Sequence, residues 1–279
     1  MNISVTASAA DITAFRRRLV KTDPVLAGVI RAAGRYALEP AASHTPFHAL
    51  ARAIAHQQLN GIAAESIFGR FVGLYSATET AVAGAIEATL EAELVLDTPD
   101  DKLRAVGLSF AKITSIKDLA RKTLDGVVPP YEILHTLADD EIVERLTQVR
   151  GIGRWTVEML LMFRLGRPDV LPIDDFGVRN GFRLAYGLRG MPTPRALAEF
   201  GARWAPFRSV AAWYLWRAVD LHKAGKLPAP SQPTRIKIVK KKKKVAKKVA
   251  GKSARKTAAS RSAPRKTSAA KRGKPARKK

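Results

Sequence analysis

The sequence predicts an all-α protein, on three observations. Alternating Val/Ile/Thr runs bounded by Asn-Gly or Asp-Gly turns, the mark of strands and hairpins, are nearly absent. Apolar residues recur instead at steps of three and four along most of the chain. Helix start and stop signals punctuate it at short intervals.

The stretch PFHALARAIAHQQL (46–59) opens on Pro46, whose fixed φ suits a first helical turn. TPDDKLRAVG (98–107) offers Thr98 as a cap, then a proline, two acids and a closing glycine. Ile113, Ile116, Ala120 and Leu124 keep helical spacing behind Ser109, a natural N-cap. ADDEIVERLTQV (138–149) again begins with acids, and TPRALAEFGARW (193–204) begins with Thr193 and Pro194. These signals predict about ten to twelve helices with short links and no repeat at a fixed period.

Charge divides the chain. Of its 279 residues, 49 are Lys or Arg and 24 Asp or Glu, a formal charge of +25. From Ser231 onward there are 21 basic and no acidic residues, which leaves 28 basic against 24 acidic in 1–230. The predicted organisation is an N-terminal helical extension (1–40), one domain (41–226), and a proline-rich linker with a Lys/Arg/Ala-rich tail (227–279). The tail has too little apolar surface to offset its ordering entropy, so disorder is expected there.

Cysteine is absent, which excludes disulfides, cysteine-ligated zinc and iron–sulfur clusters. The five histidines show no metal-ligand spacing. No apolar run approaches the ~18 residues of a membrane span, and the N-terminus lacks a signal-peptide pattern, so no membrane partner and no export are expected.

VRGIGRWTVEMLLMF (149–163) places Gly151 and Gly153 around Ile152, just where a helix begins. Glycine in a helix costs roughly 0.5–1 kcal/mol relative to alanine, so two of them call for a reason. As a hairpin between two helices, they permit a tight turn and leave no Cβ in front of the next helix's free N–H groups, an arrangement that suits a phosphate. Ile152 would plug back between the helices. A plain helix–turn–helix corner satisfies the same residues. A nucleotide-binding glycine loop does not, since no strand precedes it.

About twenty residues on stands DVLPIDDFGVRNGF (169–182). VRGIGRWT followed by LPIDDFGVRNG resembles the helix–hairpin–helix DNA glycosylases, most closely the alkylated-base branch, DNA-3-methyladenine glycosylase II. AIAHQQLNGIAA (53–64), LRAVGLSFAKITSI (103–116) and RWAPFRSVAAWYLW (203–216) resemble that branch in the same order. The resemblance spans roughly residues 40–222 and implies a two-lobed fold around a DNA-binding cleft.

The resemblance implies roles as well. Asp175 would be the catalytic carboxylate, stabilising an oxocarbenium-like transition state as the base leaves, with Asp174 left to capping. On the residues alone, both aspartates also suit a helix start. Trp155 stands where relatives with lyase activity carry lysine, so hydrolysis without a Schiff base is expected. Trp155, Trp216, Phe176 and Phe47 would wall a pocket for electron-poor alkylated bases. Met159 stands where the related pattern carries tyrosine. Gly151, Ile152, Gly153, Arg154 and Thr156 would face the DNA backbone. In HQQLNG (56–61), Leu59 and Gln58 are both candidates for the wedge that fills the gap left by a flipped nucleotide. The carbonyls of Thr147, Val149 and Ile152 would hold a monovalent cation. No organic cofactor is implied.

The expected partner is double-stranded DNA bearing damaged bases, bound by a monomer. The tail resembles histone-type or nucleoid-protein tails and would hold non-specific DNA through counterion release, although a localisation signal or an RNA tether fits the same composition. The expected location is the cytoplasm, at the nucleoid in a bacterium, or the nucleus in a eukaryote. Two alternatives remain at this level. One is a non-catalytic helix–hairpin–helix or nucleoid-associated DNA-binding protein. The other is a glycosylase of the same fold acting on oxidised or mismatched bases.

Overall fold

The computed structural model describes residues 8–41, 44–75 and 90–231. The basic tail from residue 232 lies outside the described residues, and so does the expectation of its disorder.

Among the described residues there are thirteen α-helices, one 3-10 turn and no β-strand. The first two, α1 (Ala9–Thr22) and α2 (Pro24–Ala33), come before the resembling region. Then follow α3 (Pro46–His56), α4 (Gly61–Gly73), α5 (Ala92–Asp97), α6 (Asp100–Ala105), α7 (Phe110–Leu124) and α8 (Tyr131–Leu134). The hairpin pair is α9 (Asp139–Leu146) and α10 (Arg154–Phe163). The chain closes with α11 (Phe176–Ala185), α12 (Pro194–Gly201), the 3-10 turn Ala202–Trp204 and α13 (Arg208–Lys223).

The packed pairs fall into two sets, as a two-lobed fold requires. α3, α4, α5, α6, α7, α9 and α10 pack on one another, with α3 and α7 at the centre. α1, α2, α11 and α13 form the second lobe. The N-terminal segment is therefore packed, not appended. Asp23 caps α2 and is itself buried, accepting from the Tyr186 hydroxyl at 2.7 Å and the Trp204 indole at 2.8 Å. Burial and the neighbouring Asp23 push the Tyr186 phenol far above its ordinary range.

Several start signals act as the sequence suggests. The side chains of Thr45, Ser109 and Thr193 each accept from a backbone N–H three residues on. Thr98 does not cap α6. Its hydroxyl donates back to the Leu94 carbonyl at 2.7 Å, and Pro99 occupies the cap position. α3 stops at His56, earlier than its apolar spacing suggests, because the chain enters a tight turn there.

The link between the lobes, residues 164–175, is fastened at several points. Arg208 grips both oxygens of Asp169 at 2.7 and 2.9 Å. The Ser209 hydroxyl donates to Arg167 O at 2.6 Å and accepts from Val170 N at 2.9 Å. Buried Arg167 reaches across to the Leu134 and Leu137 carbonyls. This scaffold fixes where α11 begins.

Candidate active site

α11 begins at Asp175. Its Oδ1 accepts from Val178 N at 2.6 Å, so Asp175 is the N-cap. This corrects the sequence expectation that Asp174 would do the capping: Asp174 is exposed and Asp175 takes the role. The carboxylate thus sits at the positive end of the α11 dipole. Two indoles complete its surroundings. Trp216, from α13, donates Nε1–H to Oδ1 at 2.8 Å. Trp155, from the first turn of α10, donates Nε1–H to Oδ2 at 3.0 Å. Asp175 is half-buried, and the two tryptophans come to it from different lobes.

Trp155 also walls a hollow of about 590 Å³ between α3, the turn after it, and α10. Trp155, Met159 and Phe163 recur at steps of four, so they form one stripe along α10 facing this space. Phe163 stacks on Trp216, centroids 5.7 Å apart and planes 29° apart. Sequence reasoning missed Phe163, although its spacing of eight from Trp155 is a usable signal. Opposite stand Ala49, Arg52, Ala53 and His56 of α3. Burial and the Arg52 charge hold the His56 imidazole below its ordinary range, so it is neutral near pH 7.

Phe47 is withdrawn from the pocket. It is 3% exposed, because α3 turns residues 47, 51 and 54 into the core while 49, 52, 53 and 56 face the hollow. Phe176 does not line the hollow either. As the first residue of α11 its ring stands 70% exposed beside Asp175.

In the hairpin, Gly151 has φ +81°, where a Cβ would also meet Ser115 Oγ at 3.0 Å. Gly153 has an ordinary extended φ of −100°, and a Cβ there meets nothing within 4 Å. The two glycines therefore do different things: the first makes the turn, the second keeps an exposed surface bare. Ile152 is buried between the helices. Among the described residues, the N–H groups of Gly151, Gly153, Arg154 and Trp155 donate to no protein atom. Thr156 leaves this group. Its N–H donates to Gly153 O at 2.9 Å, and its buried side chain, from the third residue of α10, lines the hollow.

Arg154 is exposed and pairs with Glu158 at 3.1 Å. Burial, the largest influence, pushes the Glu158 carboxyl up; Arg154 opposes this, and Asp174 and Asp175 add to it. Among the described residues no N–H donates to the Thr147 or Ile152 carbonyls, and the Val149 carbonyl carries one bond, from Ile152 N at 3.0 Å. Three uncharged oxygens with spare lone pairs suit a monovalent cation.

The turn after α3 is built under strain. Gln57 has φ −57° and ψ 132°, Gln58 has φ +60°, and Leu59 N donates back to His56 O at 3.4 Å. This is a type II turn with glutamine where glycine is favoured. Gln58 lines the hollow and Leu59 is 41% exposed, so both wedge candidates project from the same turn. Gln57, also missed from sequence, donates Nε2–H to the Gly151 carbonyl at 2.8 Å and ties this turn to the hairpin.

The model of the HhH-GPD superfamily of base excision DNA repair proteins matches residues 51–206, more than half of the chain. The chain belongs to this superfamily. A Schizosaccharomyces pombe relative named DNA-3-methyladenine glycosylase 1 is 42% identical over 176 residues, 63% of this chain and 73% of that protein. The solved S. pombe 3-methyladenine DNA glycosylase in complex with abasic DNA is similar at 37% identity and TM-score 0.61, covering 73% of this chain and 95% of that one. A DNA-3-methyladenine glycosidase from Bacillus halodurans is similar at 31% identity and TM-score 0.66, covering 75% and 91%. In this HhH-GPD protein the turn at 149–154 leads into α10, whose Trp155 is one of the two indoles that hold the Asp175 carboxylate.

Proposed function

We propose that this HhH-GPD protein is a monofunctional DNA glycosylase that hydrolyses the N-glycosidic bond of alkylated purines, of the 3-methyladenine type, in base-excision repair. The observation that carries this reading is the Asp175 carboxylate, fixed at a helix N-terminus and between Trp216 and Trp155, the latter also walling the apolar hollow.

Gly151 and Gly153 present bare N–H groups to a backbone phosphate, and a wedge from the Gln58–Leu59 turn fills the stack as a nucleotide swings out. The base enters the hollow against Trp155, whose face attracts an electron-poor ring. The C1′–N bond breaks with its electron pair leaving on the base. Positive charge grows on the deoxyribose, and Asp175 Oδ2, which among the described residues accepts only from the half-exposed Trp155 indole, stabilises it. Water adds at C1′ and loses its proton, leaving an abasic site. A monovalent cation on the Thr147, Val149 and Ile152 carbonyls would add positive charge where the phosphate lies; no chemical step passes through it.

Trp155 supports hydrolysis over lyase chemistry: among the described residues no lysine lines the hollow. Borohydride should therefore trap no covalent protein–DNA adduct. The partner is duplex DNA, engaged by a monomer at the nucleoid or in the nucleus, with the basic tail adding non-specific contacts. Incubating purified protein with methylated DNA and resolving the released bases tests the reading. Free 3-methyladenine is the expected product; no released base would favour a DNA-binding role without catalysis.

A further inference from the structure

α11 carries glycines at 177 and 181, about one turn apart on the side that meets α13. A Cβ built on Gly181 would run into the Leu215 carbonyl, so the two helices meet backbone to backbone there. A Cβ on Gly177 would lie 2.7 Å from Trp216 Cδ1, 2.8 Å from its Nε1 and 3.1 Å from Asp175 Oδ1. Neither glycine has the positive φ that would itself require glycine. Alanine would serve a helix better at both positions. Space, not backbone conformation, is what they supply.

We infer that Gly177 is a positioning residue for glycosidic cleavage: its missing side chain is the gap through which the Trp216 indole N–H reaches Asp175. The inference rests on the reading of Asp175 as the catalytic carboxylate. Trp216 and Val178 both donate to Oδ1, so this oxygen is fixed and Oδ2 is left to Trp155, which walls the hollow. A methyl group at 177 displaces the indole ring, frees Oδ1 from its side-chain donor and lets the carboxylate swing. The backbone hairpin and the Gln58–Leu59 turn are on the other lobe and keep their geometry. Rate and DNA affinity should therefore separate.

The test compares Gly177→Ala, Trp216→Phe, the double variant and Asp175→Asn in single-turnover base release, beside affinity for DNA bearing an uncleavable abasic analogue. Gly177→Ala should release base about 100-fold more slowly, the scale of a small misplacement at a reacting centre. Its affinity for the abasic analogue should stay within about twofold of wild type, since the phosphate-facing N–H groups are untouched. Trp216→Phe, which keeps a ring but loses the N–H, should also be slow, and adding Gly177→Ala to it should cost little more. A wild-type rate for Gly177→Ala, or independent multiplication of the two losses, overturns the inference. Should Gly177→Ala fail to fold by circular dichroism, Trp216→Phe decides: a wild-type rate overturns the inference, and a slow rate with retained affinity supports it. Base release by Asp175→Asn would instead overturn the underlying reading.

Discussion

Trp155 donates its indole N–H to Asp175 Oδ2 across the junction of the two lobes, at 3.0 Å. One side chain thus closes the hollow and covers the outward oxygen of the carboxylate. In the proposed mechanism a sugar approaching Asp175 would displace this indole while the flipped base stacks on its face. Trp155→Ala removes the stacking surface. Aromatic stacking on a base is worth roughly 1–3 kcal/mol, so kcat/KM on methylated DNA should fall about 10- to 100-fold. An unchanged kcat/KM would remove Trp155 from the base pocket.

The hairpin glycines should separate in mutagenesis. Gly151→Ala forces a non-glycine residue to φ +81° and against Ser115, and should cost roughly 1–3 kcal/mol of stability. Gly153→Ala meets no atom and keeps an ordinary φ, so its melting temperature should stay near wild type. Its methyl group projects from the face that would meet the phosphate, and DNA affinity should drop. Chemical denaturation and DNA titration of both variants check this. Loss of stability in Gly153→Ala with intact binding would contradict it.

Gln58 holds φ +60° at a surface turn that glycine would occupy more easily. Gln58→Gly should raise stability by roughly 0.5–1 kcal/mol, the strain relieved less the added freedom of the unfolded chain. The same change removes a candidate wedge, so fluorescence of a 2-aminopurine beside the lesion should report less base extrusion. Gln57→Ala tests the tie to Gly151 from the other side: little stability lost, but slower extrusion. A Gln58→Gly variant that loses stability would show the turn to be unstrained.

His48 gives the molecule a pH dependence. It is 5% exposed, and burial first, then the charges of His44, Arg164 and Arg52, pull its pKa from 6.5 to about 4. Between these values the unfolded chain binds a proton that the folded chain refuses. Stability is therefore complete above pH 6.5 and declines as pH falls toward 4, by roughly 1–3 kcal/mol from this residue. Against wild type, urea unfolding of His48→Leu should show a shallower decline over that window. Equal declines would remove His48 as the cause.

Much of the helical fold was legible locally, because caps such as Ser109 and Thr193 act over one turn. Thr98 misled for the same reason: a hydroxyl next to two helices can serve either, and here it bonds back to Leu94 of α5 while also meeting the Tyr75 hydroxyl. Phe47 misled because one sequence position says nothing of which helix face looks outward. The resemblance assigned Asp175, Trp155 and Trp216 to one site but gave the indoles only the walls of the base pocket. Their hydrogen bonds to the carboxylate were not legible, since periodicity cannot bring residues 20 and 41 positions apart onto one side chain. Asp23 with Tyr186 and Trp204, and Gln57 with Gly151, were not legible at all. Each joins distant segments through a single hydrogen-bonded atom, which leaves no pattern in the chain.

The most direct measurement is base release from methylated duplex DNA by wild type and Asp175→Asn, with DNA affinity determined in parallel. The substitution keeps an N-capping side chain and roughly the same shape while removing the negative charge. Wild-type protein should liberate 3-methyladenine, and Asp175→Asn should liberate essentially none while still binding DNA. Equal release by the two proteins would contradict the assignment of catalysis to this carboxylate.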